Sequence, residues 1–509
     1  MAERSPNFVI ILADDHCACD LGCGGHPFLQ TPHLDALAAD GVRFDHAMCT
    51  SPLCTPSRVC YQLGQWERCH GVNFGSRSAV SPEAWSMSYP MQLKRAGYFT
   101  GYVGKNHSPV GHAGYSSGQL ERDFDFWYAN HGHSGFYPKE WHPIYANAAA
   151  DTQAEIFAEG VDNFFQPDPD FYGGARVPLA RRPQGQPFCL SLNFNLPHPT
   201  GTSTMQQRAT DPPLYRDTYR EQWANVPIPA AYRPWARDQT RKLPEHVYSR
   251  LQIPEYDYVN DEESLREQHI RYCQTITGID RVVGRVVEQL RALGELENTV
   301  IVYAADHGIL SGEHGLGGKT LLYEPSLRIP FIVWDPSVPA ARRGRVNSSF
   351  VVPADLGPFV LSRAGRPVPG AMQGRDLTPL VCGEAVPWRS DVFCEGLMTI
   401  QAYPRSEAVR DRRWKYIRYF TRAVGETEPD TPWQKVQEDY ATYIDASARG
   451  ETPVYEELFD LQEDSHETLN RVDDPAFAEV LRARRQRIGE LLVACRGRRR
   501  LGELTGCVS

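Results

Sequence analysis

The chain has 509 residues, of which 41% are hydrophobic and 23% are charged, a composition typical of a soluble globular protein with a large core. The net charge of −10 argues against a nucleic-acid-binding protein and gives no general attraction to acidic polymers. No stretch approaches the roughly 20 apolar residues of a membrane span, and the apolar run at 8–13 is too short for the core of a signal peptide. The thirteen cysteines, which have no framework spacing, therefore predict reduced thiols in a cytoplasmic protein.

Apolar strand patterns alternate with helical patterns along the first part of the chain. Strands are predicted at 7–13, 98–105, 187–197 and 298–305, and helices at 33–41, 91–96 and 265–293. This alternation indicates an α/β fold with a largely parallel sheet, in which the chemistry gathers beyond the carboxyl ends of the strands. Two polar, aromatic stretches, 115–141 and 215–258, are predicted to be long loops.

The pattern changes after residues 374–384. Short strand patterns follow as DVFCEGL, DRRWKYIRYF and YEELFDLQED, and a last helix is predicted at 475–495. We therefore expect a catalytic domain at 1–385 and a smaller α+β domain at 386–509.

Acidic residues directly follow two of the predicted strands. Asp14 and Asp15 come after the first strand, and Asp306 and His307 come after the strand at 298–305. Carboxylates at strand ends suit a divalent cation, although an aspartate after a strand is also a common turn residue or helix cap. Two such pairs favour the metal site.

Lysines and histidines occupy similar positions. Lys105 and His107 end the strand GYVGKNH, His198 lies in LPHP, and Lys319 follows the glycine-rich loop GEHGLGGK. Together they could hold a tetrahedral anion and move protons. Each one alone is as readily a surface lysine or a hydrogen-bonded core histidine.

The stretch CTSPLCTPSR contains two cysteines with different surroundings. Pro56 biases the preceding residue toward an extended backbone, so Cys54 is expected on a turn with a helix starting near Pro56. Arg58 and the helix N-terminus would then stabilise negative charge at Cys54. The alternative is a buried structural thiol, which is also the interpretation for Cys49.

The motif Cys54-Thr55-Pro56-Ser57-Arg58 resembles the C-x-P-S-R motif of the formylglycine-dependent sulfatases in the alkaline phosphatase superfamily. Eight further segments resemble that family in the same order, namely NFVIILADDH, TPHLDALAADGVRF, GYFTGYVGKNH, PFCLSLNFNLPHP, NTVIVYAADHG, GEHGLGGKTLLYEPSLRIPFIV, DRRWKYI and ELFDLQED. The resemblance implies an alkaline-phosphatase-like α/β fold, with a central largely parallel or mixed sheet flanked by helices and a smaller C-terminal α+β domain. It also implies that Cys54 is oxidised to formylglycine by a formylglycine-generating enzyme.

The resemblance implies a ligand set for one divalent metal, consisting of Asp14, Asp15, Asp306, His307 and an oxygen of the modified Cys54. His307 stands where many members have asparagine. Ca²⁺ is the first choice of metal. Because imidazole is a softer ligand than an amide oxygen, Mn²⁺ or another metal such as Mg²⁺ could compete with it.

The resemblance also assigns roles to the basic residues. Arg58 and Lys105 would hold the formylglycine hydrate, whose hydroxyl is the nucleophile, and His107 would later take a proton from it. His198 and Lys319 would hold the sulfate oxygens and protonate the leaving oxygen.

We therefore expect a sulfatase that cleaves a small aryl or carbohydrate sulfate. The alternative within the same superfamily is a phosphonate monoester or phosphodiester hydrolase. The Lys105-Asn106-His107 sequence favours the sulfatase, since phosphonate hydrolases carry hydroxyl side chains at these positions. A degenerate member that only binds metal or a sulfated ligand, and a member that keeps Cys54 as a thiol, are further alternatives.

The stretch 111–142 follows the Lys105 strand and is rich in aromatic residues and histidines. It is predicted to be either a wall of the substrate pocket or a self-packed surface loop. The other expected partners are a small sulfated substrate and the maturation enzyme, with no nucleic acid and no membrane, and a homo-oligomer is left open.

Overall fold

A computed structural model of the protein describes residues 5–76, 78–166, 182–198, 207–233, 254–397, 403–420, 440–497 and 507–508. The strands in these ranges are β1 (Asn7–Asp14), β2 (Val42–Phe44), β3 (Ala79–Val80), β4 (Phe99–Asn106), β5 (Phe126–His131), β6 (Phe188–Pro197), β7 (Thr299–Ala305), β8 (Leu310–Ser311), β9 (Gly317–Gly318), β10 (Phe331–Trp334), β11 (Arg345–Asn347), β12 (Asp391–Gly396), β13 (Ser406–Asp411), β14 (Trp414–Tyr419), β15 (Tyr455–Asp460) and β16 (Cys507–Val508).

The helices of the described residues are α1 (Pro32–Ala39), α2 (Cys54–Leu63), α3 (Glu67–His70), α4 (Pro82–Ser86), α5 (Tyr89–Arg95), α6 (Gln119–Asp123), α7 (Gln153–Phe165), α8 (Pro213–Arg216), α9 (Glu262–Ala292), α10 (Glu324–Leu327), α11 (Leu356–Arg363), α12 (Thr378–Val381) and α13 (Ala478–Arg496). Short 3₁₀ turns connect several of them. No helix among these is both long enough and apolar enough to cross a lipid bilayer.

The main sheet has eight strands in the order β11-β2-β10-β7-β1-β6-β4-β5. The strands from β7 to β5 are parallel to one another, and β10 is antiparallel to both of its neighbours. Every residue of β1, β6 and β7 is buried, as expected where helices cover both faces of a parallel sheet. The predicted α/β fold with a mixed, largely parallel sheet is confirmed.

Long helices cover this sheet. α9 is the longest, and its N-cap Asp261 accepts a hydrogen bond from the Ser264 backbone N–H at 2.8 Å, which satisfies one of the free donors of the first turn. The side chain of Asp280 in the same helix accepts hydrogen bonds from the backbone N–H groups of His33 and Leu34 at the start of α1. The two helices are thereby fixed to each other.

The prediction of a loop at 115–141 is wrong. This stretch contains α6 and β5, and β5 is the edge strand that pairs in parallel with β4. Its sequence FWYANH is short and lacks alternation, yet aromatic residues favour strands, and pairing to β4 decides the conformation. In the second predicted loop, 215–258, the middle residues 234–253 lie outside the described residues, and the described ends contain short helical turns.

The smaller sheet is antiparallel, with the order β12-β13-β14-β15, and α13 packs against it. Three of its strands and the helix were predicted. β13 was not, because its sequence SEAVRD is mostly polar. Side chains of this sheet share one core with Met48, Trp66 and residues between 310 and 354, and the boundary at 385/386 stays a prediction.

Twelve of the thirteen cysteines have described side chains; these twelve are all free thiols, and eight of them are buried. Cys49 is among the buried ones, and its Sγ lies 3.6 Å from Ser57 Oγ. This position agrees with the structural role expected for Cys49.

His70 makes the stability of the fold depend on pH. It is fully buried at the end of α3, and burial lowers its pKa from 6.5 to about 3. Below pH 6.5 His70 therefore binds a proton in the unfolded chain but not in the folded chain. The free energy of unfolding falls as the pH falls toward 3. We expect His70→Gln to reduce the loss of unfolding free energy between pH 7.5 and pH 5 by about 2 kcal/mol.

Urea unfolding of the wild type and the variant at both pH values measures this difference. Equal losses in the two proteins would contradict the assignment to His70.

Candidate active site

The predicted site residues meet at one edge of the main sheet. In the sheet order, β7, β1, β6 and β4 are consecutive neighbours, and their carboxyl ends carry Asp306, Asp14, His198 and Lys105. Because these strands are parallel, their ends open on the same side. The structure brings these residues together with Cys54.

The backbone at the strand ends is specialised. Asp15 has a φ of 63°, a left-handed conformation that is uncommon for a residue with a side chain, and its N–H donates to Asp306 Oδ1 at 3.3 Å. In β4, a Cβ atom on Gly104 would lie 2.2 Å from the Asn193 carbonyl oxygen. Glycine at 104 therefore permits the close approach of β4 to β6 beside Lys105.

Cys54 is the first residue of α2, so the expected helix start at Pro56 is two residues late. Leu53 is the N-cap and has an extended backbone, and Pro56 lies in the first turn, where a missing N–H costs no intrahelical bond. The side chain of Cys54 therefore lies at the positive end of the helix dipole. All ten residues of α2 are buried.

The Sγ atom of Cys54 has three polar neighbours. Lys319 Nζ lies 3.4 Å away, His307 Nε2 lies 3.3 Å away and Asp14 Oδ1 lies 3.5 Å away. Cys54 itself is 2% exposed. The group at position 54 is therefore held between a cation, an imidazole and a carboxylate.

Arg58 binds two of the buried carboxylates. Its Nε donates to Asp306 Oδ2 at 2.8 Å, and Nη2 lies 3.5 Å from Asp14 Oδ2. Nη1 and Nη2 also donate to Asn193 Oδ1 and the Phe194 carbonyl oxygen. Although burial lowers the pKa of Arg58, the charges of Asp306 and Asp14 outweigh burial and raise it, so this residue is a permanent buried cation.

Each of the two lysines pairs with one carboxylate at the carboxyl end of β1. Lys105 Nζ donates to Asp14 Oδ2, and Lys319 Nζ donates to Asp15 Oδ1 at 2.8 Å. Burial would raise the pKa of Asp14, but Lys105 and other cations outweigh it and hold this pKa well below the usual value. Burial would lower the pKa of Lys319, but Asp15 outweighs it and raises this pKa. Asp14 and Lys319 are therefore charged at neutral pH.

Three potential metal-binding residues cluster with Cys54. One donor atom from each of Asp14, Cys54, Asp306 and His307 can be chosen so that all lie within 4.8 Å of one another. Among the described residues, Asp15 Oδ2 is buried without a hydrogen-bond partner. Burial and the charge of Asp14 raise the pKa of Asp306. A carboxylate oxygen without a donor and two carboxylates that repel each other fit a divalent cation, so this donor set suits the implied metal.

Two histidines flank the cluster. His107 is 2% exposed, and its Nδ1 has no hydrogen-bond partner among the described residues. Burial, followed by the charge of Lys105, lowers the pKa of His107 well below 6.5. His198 Nε2 lies 3.9 Å from Asp15 Oδ2, and burial together with Lys319 lowers its pKa to about 4. Both imidazoles are therefore neutral at neutral pH and available as proton acceptors.

Three residues that were not predicted individually surround His107. Its ring centroid lies 5.1 Å from that of Phe74, 6.2 Å from that of Tyr115 and 5.0 Å from that of His133. Tyr115 and His133 belong to the stretch 111–142, which therefore contacts the site, and its role as a wall of the substrate pocket stays a prediction. Phe74 lies in an irregular segment after α3, and no pattern in the sequence marks it.

The sulfatase family model matches residues 6–366, and a model of the C-terminal region of N-sulphoglucosamine sulphohydrolase matches residues 312–428. The chain belongs to the sulfatase family. It is therefore a sulfuric ester hydrolase of the alkaline phosphatase superfamily, as the resemblance predicted.

One curated sulfatase relative is the N-acetylglucosamine-6-O-sulfatase of Bacteroides thetaiotaomicron, which is 26% identical over 446 residues and aligns with 77% of this chain and 74% of its own. One similar structure was solved in complex with its substrate D-glucosamine-2-N,6-O-disulfate; it has a TM-score of 0.65 and 20% identity, and covers 98% of this chain and 100% of its own. The phosphonate monoester hydrolase of Agrobacterium radiobacter has a TM-score of 0.69 and 18% identity, and covers 96% of each chain. At these identities the two solved structures show the shared fold.

Proposed function

We propose that this sulfatase cleaves a small carbohydrate or aryl sulfate with a formylglycine made from Cys54 and one divalent metal. The observation that carries the proposal is the position of Cys54, at a buried helix N-terminus and within 3.5 Å of Lys319, His307 and Asp14. A carbohydrate sulfate is supported by the curated relative named N-acetylglucosamine-6-O-sulfatase.

Formylglycine in its hydrated form would supply the nucleophilic hydroxyl, and the metal, held by Asp14, Asp15, Asp306, His307 and residue 54, would supply positive charge at the sulfate. The protein supplies the rest of the site. Arg58 fixes Asp306 and Asp14, and Lys105 fixes Asp14.

The remaining residues hold the anion and move protons. Lys319 Nζ, charged and 3.4 Å from Cys54 Sγ, is positioned to bind a sulfate oxygen and to donate a proton to the leaving oxygen. His198 faces Asp15 and would bind the same anion. His107 is neutral, and its Nδ1 lacks a partner among the described residues, so it can accept a proton and act as the base.

A phosphonate monoester or phosphodiester hydrolase is the second candidate, since one such enzyme shares the fold. Lys105 and His107 oppose it, because both side chains are buried inside the site rather than replaced by hydroxyl groups. We expect kcat/KM for nitrophenyl sulfate to exceed that for a phenyl phosphonate ester. A large preference for the phosphonate would reject the sulfatase assignment, and a protein that has formylglycine but turns over neither ester would be a degenerate binder.

Removal of the metal is expected to abolish activity. Without a divalent cation, the buried carboxylates lose their counter-charge and the nucleophile loses its activation. We propose Ca²⁺ as the natural ion because carboxylates dominate the ligand set. Mn²⁺ is an alternative because His307 adds a nitrogen ligand, and Mg²⁺ is an alternative because it also binds carboxylate oxygens. Dialysis against a chelator, followed by addition of each ion alone and assay of nitrophenyl sulfate hydrolysis, tests the choice. Full activity after exhaustive chelation, verified by elemental analysis, would contradict a metal enzyme.

We also propose maturation by a formylglycine-generating enzyme. The cytoplasmic location, like the oligomeric state, stays a prediction from the sequence.

A further inference from the structure

His133 lies at the carboxyl end of the edge strand β5. The register of β5 with β4 pairs His131 with Asn106, so the residues that follow β5 emerge beside Lys105 and His107. The topology therefore delivers a third histidine to the edge of the sheet that carries the catalytic cluster.

The backbone around His133 is hydrogen-bonded to β4 and to a side chain of β6. The Gly132 N–H donates to the Asn106 carbonyl oxygen at 2.8 Å, and the Ser134 N–H donates to Asn195 Oδ1 at 2.8 Å. The carbonyl oxygen of His133 lies 2.7 Å from His142 Nε2. These bonds fix the position of His133 relative to β4 and β6.

The ring of His133 contacts both histidines to which we assign the binding and proton-transfer roles. Its centroid lies 5.0 Å from that of His107 and 4.7 Å from that of His198. A nitrogen of His133, a nitrogen of His107 and Cys54 Sγ also lie within 4.8 Å of one another. His133 is exposed, whereas His107 and Cys54 are buried, so His133 lies on the solvent side of the reacting group.

A sulfate ester has a compact charged end and a larger alcohol end. The charged end belongs with Lys105, Lys319 and the carboxylates that would hold the metal, and all of these side chains are buried. The alcohol end must then extend toward solvent, past the exposed imidazole. An imidazole offers a flat ring for stacking and a polar N–H or N for hydrogen bonding.

We propose that His133 binds the alcohol half of the sulfate ester and so contributes to substrate specificity. The proposal rests on the proposed function, because it takes Cys54 as the position of the nucleophile. It assigns to His133 contact with the part of the substrate that differs between sulfate esters, and no contact with the sulfate group that they share.

The test compares wild type, His133→Ala, His133→Phe and the control His466→Ala, an exposed histidine that follows β15. Each protein is assayed for KM and kcat with nitrophenyl sulfate, and for the inhibition constant of inorganic sulfate, which has no alcohol half. We expect His133→Ala to raise KM roughly ten-fold, the loss of one ring or hydrogen-bond contact. His133→Phe, which keeps a ring, is expected to recover most of that affinity for this aryl ester.

The inhibition constant of inorganic sulfate is expected to stay the same in all four proteins, and the thermal unfolding midpoints to agree. An unchanged KM in His133→Ala would overturn the proposal, as would equal weakening of ester and inorganic sulfate. If the wild type itself cleaves no sulfate ester, it is the proposed function that fails. If the wild type cleaves the ester and His133→Ala has the same KM, only the role of His133 is rejected.

Discussion

Cys54→Ser is expected to lower kcat/KM for nitrophenyl sulfate by roughly 10⁴-fold or more, the usual consequence of removing a nucleophile. Serine provides one hydroxyl at this position, but it cannot provide the aldehyde hydrate, in which a second hydroxyl allows sulfate to be expelled. The charged and polar groups around position 54, among them Lys319, His307 and Asp14, are not altered by the substitution. Binding of inorganic sulfate should therefore survive the substitution.

Cys49→Ala is the matched control, since Cys49 is also buried and lies five positions earlier in the same segment. It should retain activity. Mass spectrometry of the peptide that contains residue 54 is expected to show, in the wild type, the loss of mass that accompanies conversion of –CH₂SH to –CHO. An intact thiol at position 54 in fully active protein would disprove the formylglycine mechanism and leave the fold unaffected.

Arg58→Met is expected to cost about 3–5 kcal/mol of unfolding free energy, the usual penalty for removing one partner of a buried ion pair. Arg58 is 1% exposed and contacts Asp306 and Asp14, which are fully buried. Methionine fills much of the volume but leaves both carboxylates without this cation. The amide of Asn193 and the carbonyl of Phe194 also lose their donors.

Urea unfolding with excess metal measures the change, and Arg482→Met is the control. Arg482 pairs with Glu479 on the surface of α13, where the side chains are 71% and 80% exposed. Its loss should change stability by less than about 1 kcal/mol. A similar small change for Arg58→Met would mean that the metal or solvent compensates the carboxylates fully, and the proposed structural role of Arg58 would be abandoned.

The sequence predicted the centre of the sheet well because its strands are continuous apolar runs that end in polar residues. β1, β6 and β7 are buried on both faces, so no alternation obscures them, and the residues beyond their ends are the ones that carry chemistry. Asp14, Asp306 and His198 could therefore be placed at one edge of the sheet from the amino-acid sequence alone.

The same reasoning failed where pairing rather than local pattern decides the conformation. β5 is an edge strand whose aromatic residues were interpreted as a loop, and β13 is a polar strand held by β12 and β14 on either side. His133 was not singled out because its position depends on the pairing of β5 with β4. The contact of Arg58 with Asp306 also depends on the tertiary structure. The spacing along α2 determines only the face of the helix on which Arg58 lies.

The complete burial of α2 limits when the proposed conversion of Cys54 to formylglycine can take place. The segment just before this helix is bonded to other parts of the fold, since the Glu395 N–H of β12 donates to the Thr50 carbonyl oxygen and the Thr320 N–H donates to the Pro52 carbonyl oxygen. The maturation enzyme that we propose would have to bind the residues around Cys54 before these bonds form. Under this proposal, oxidation of Cys54 would compete with folding, and a chain that folds first would keep an inactive thiol at position 54. The specific activity of a preparation would then report the fraction of chains that were converted at position 54, independently of how well the protein is folded.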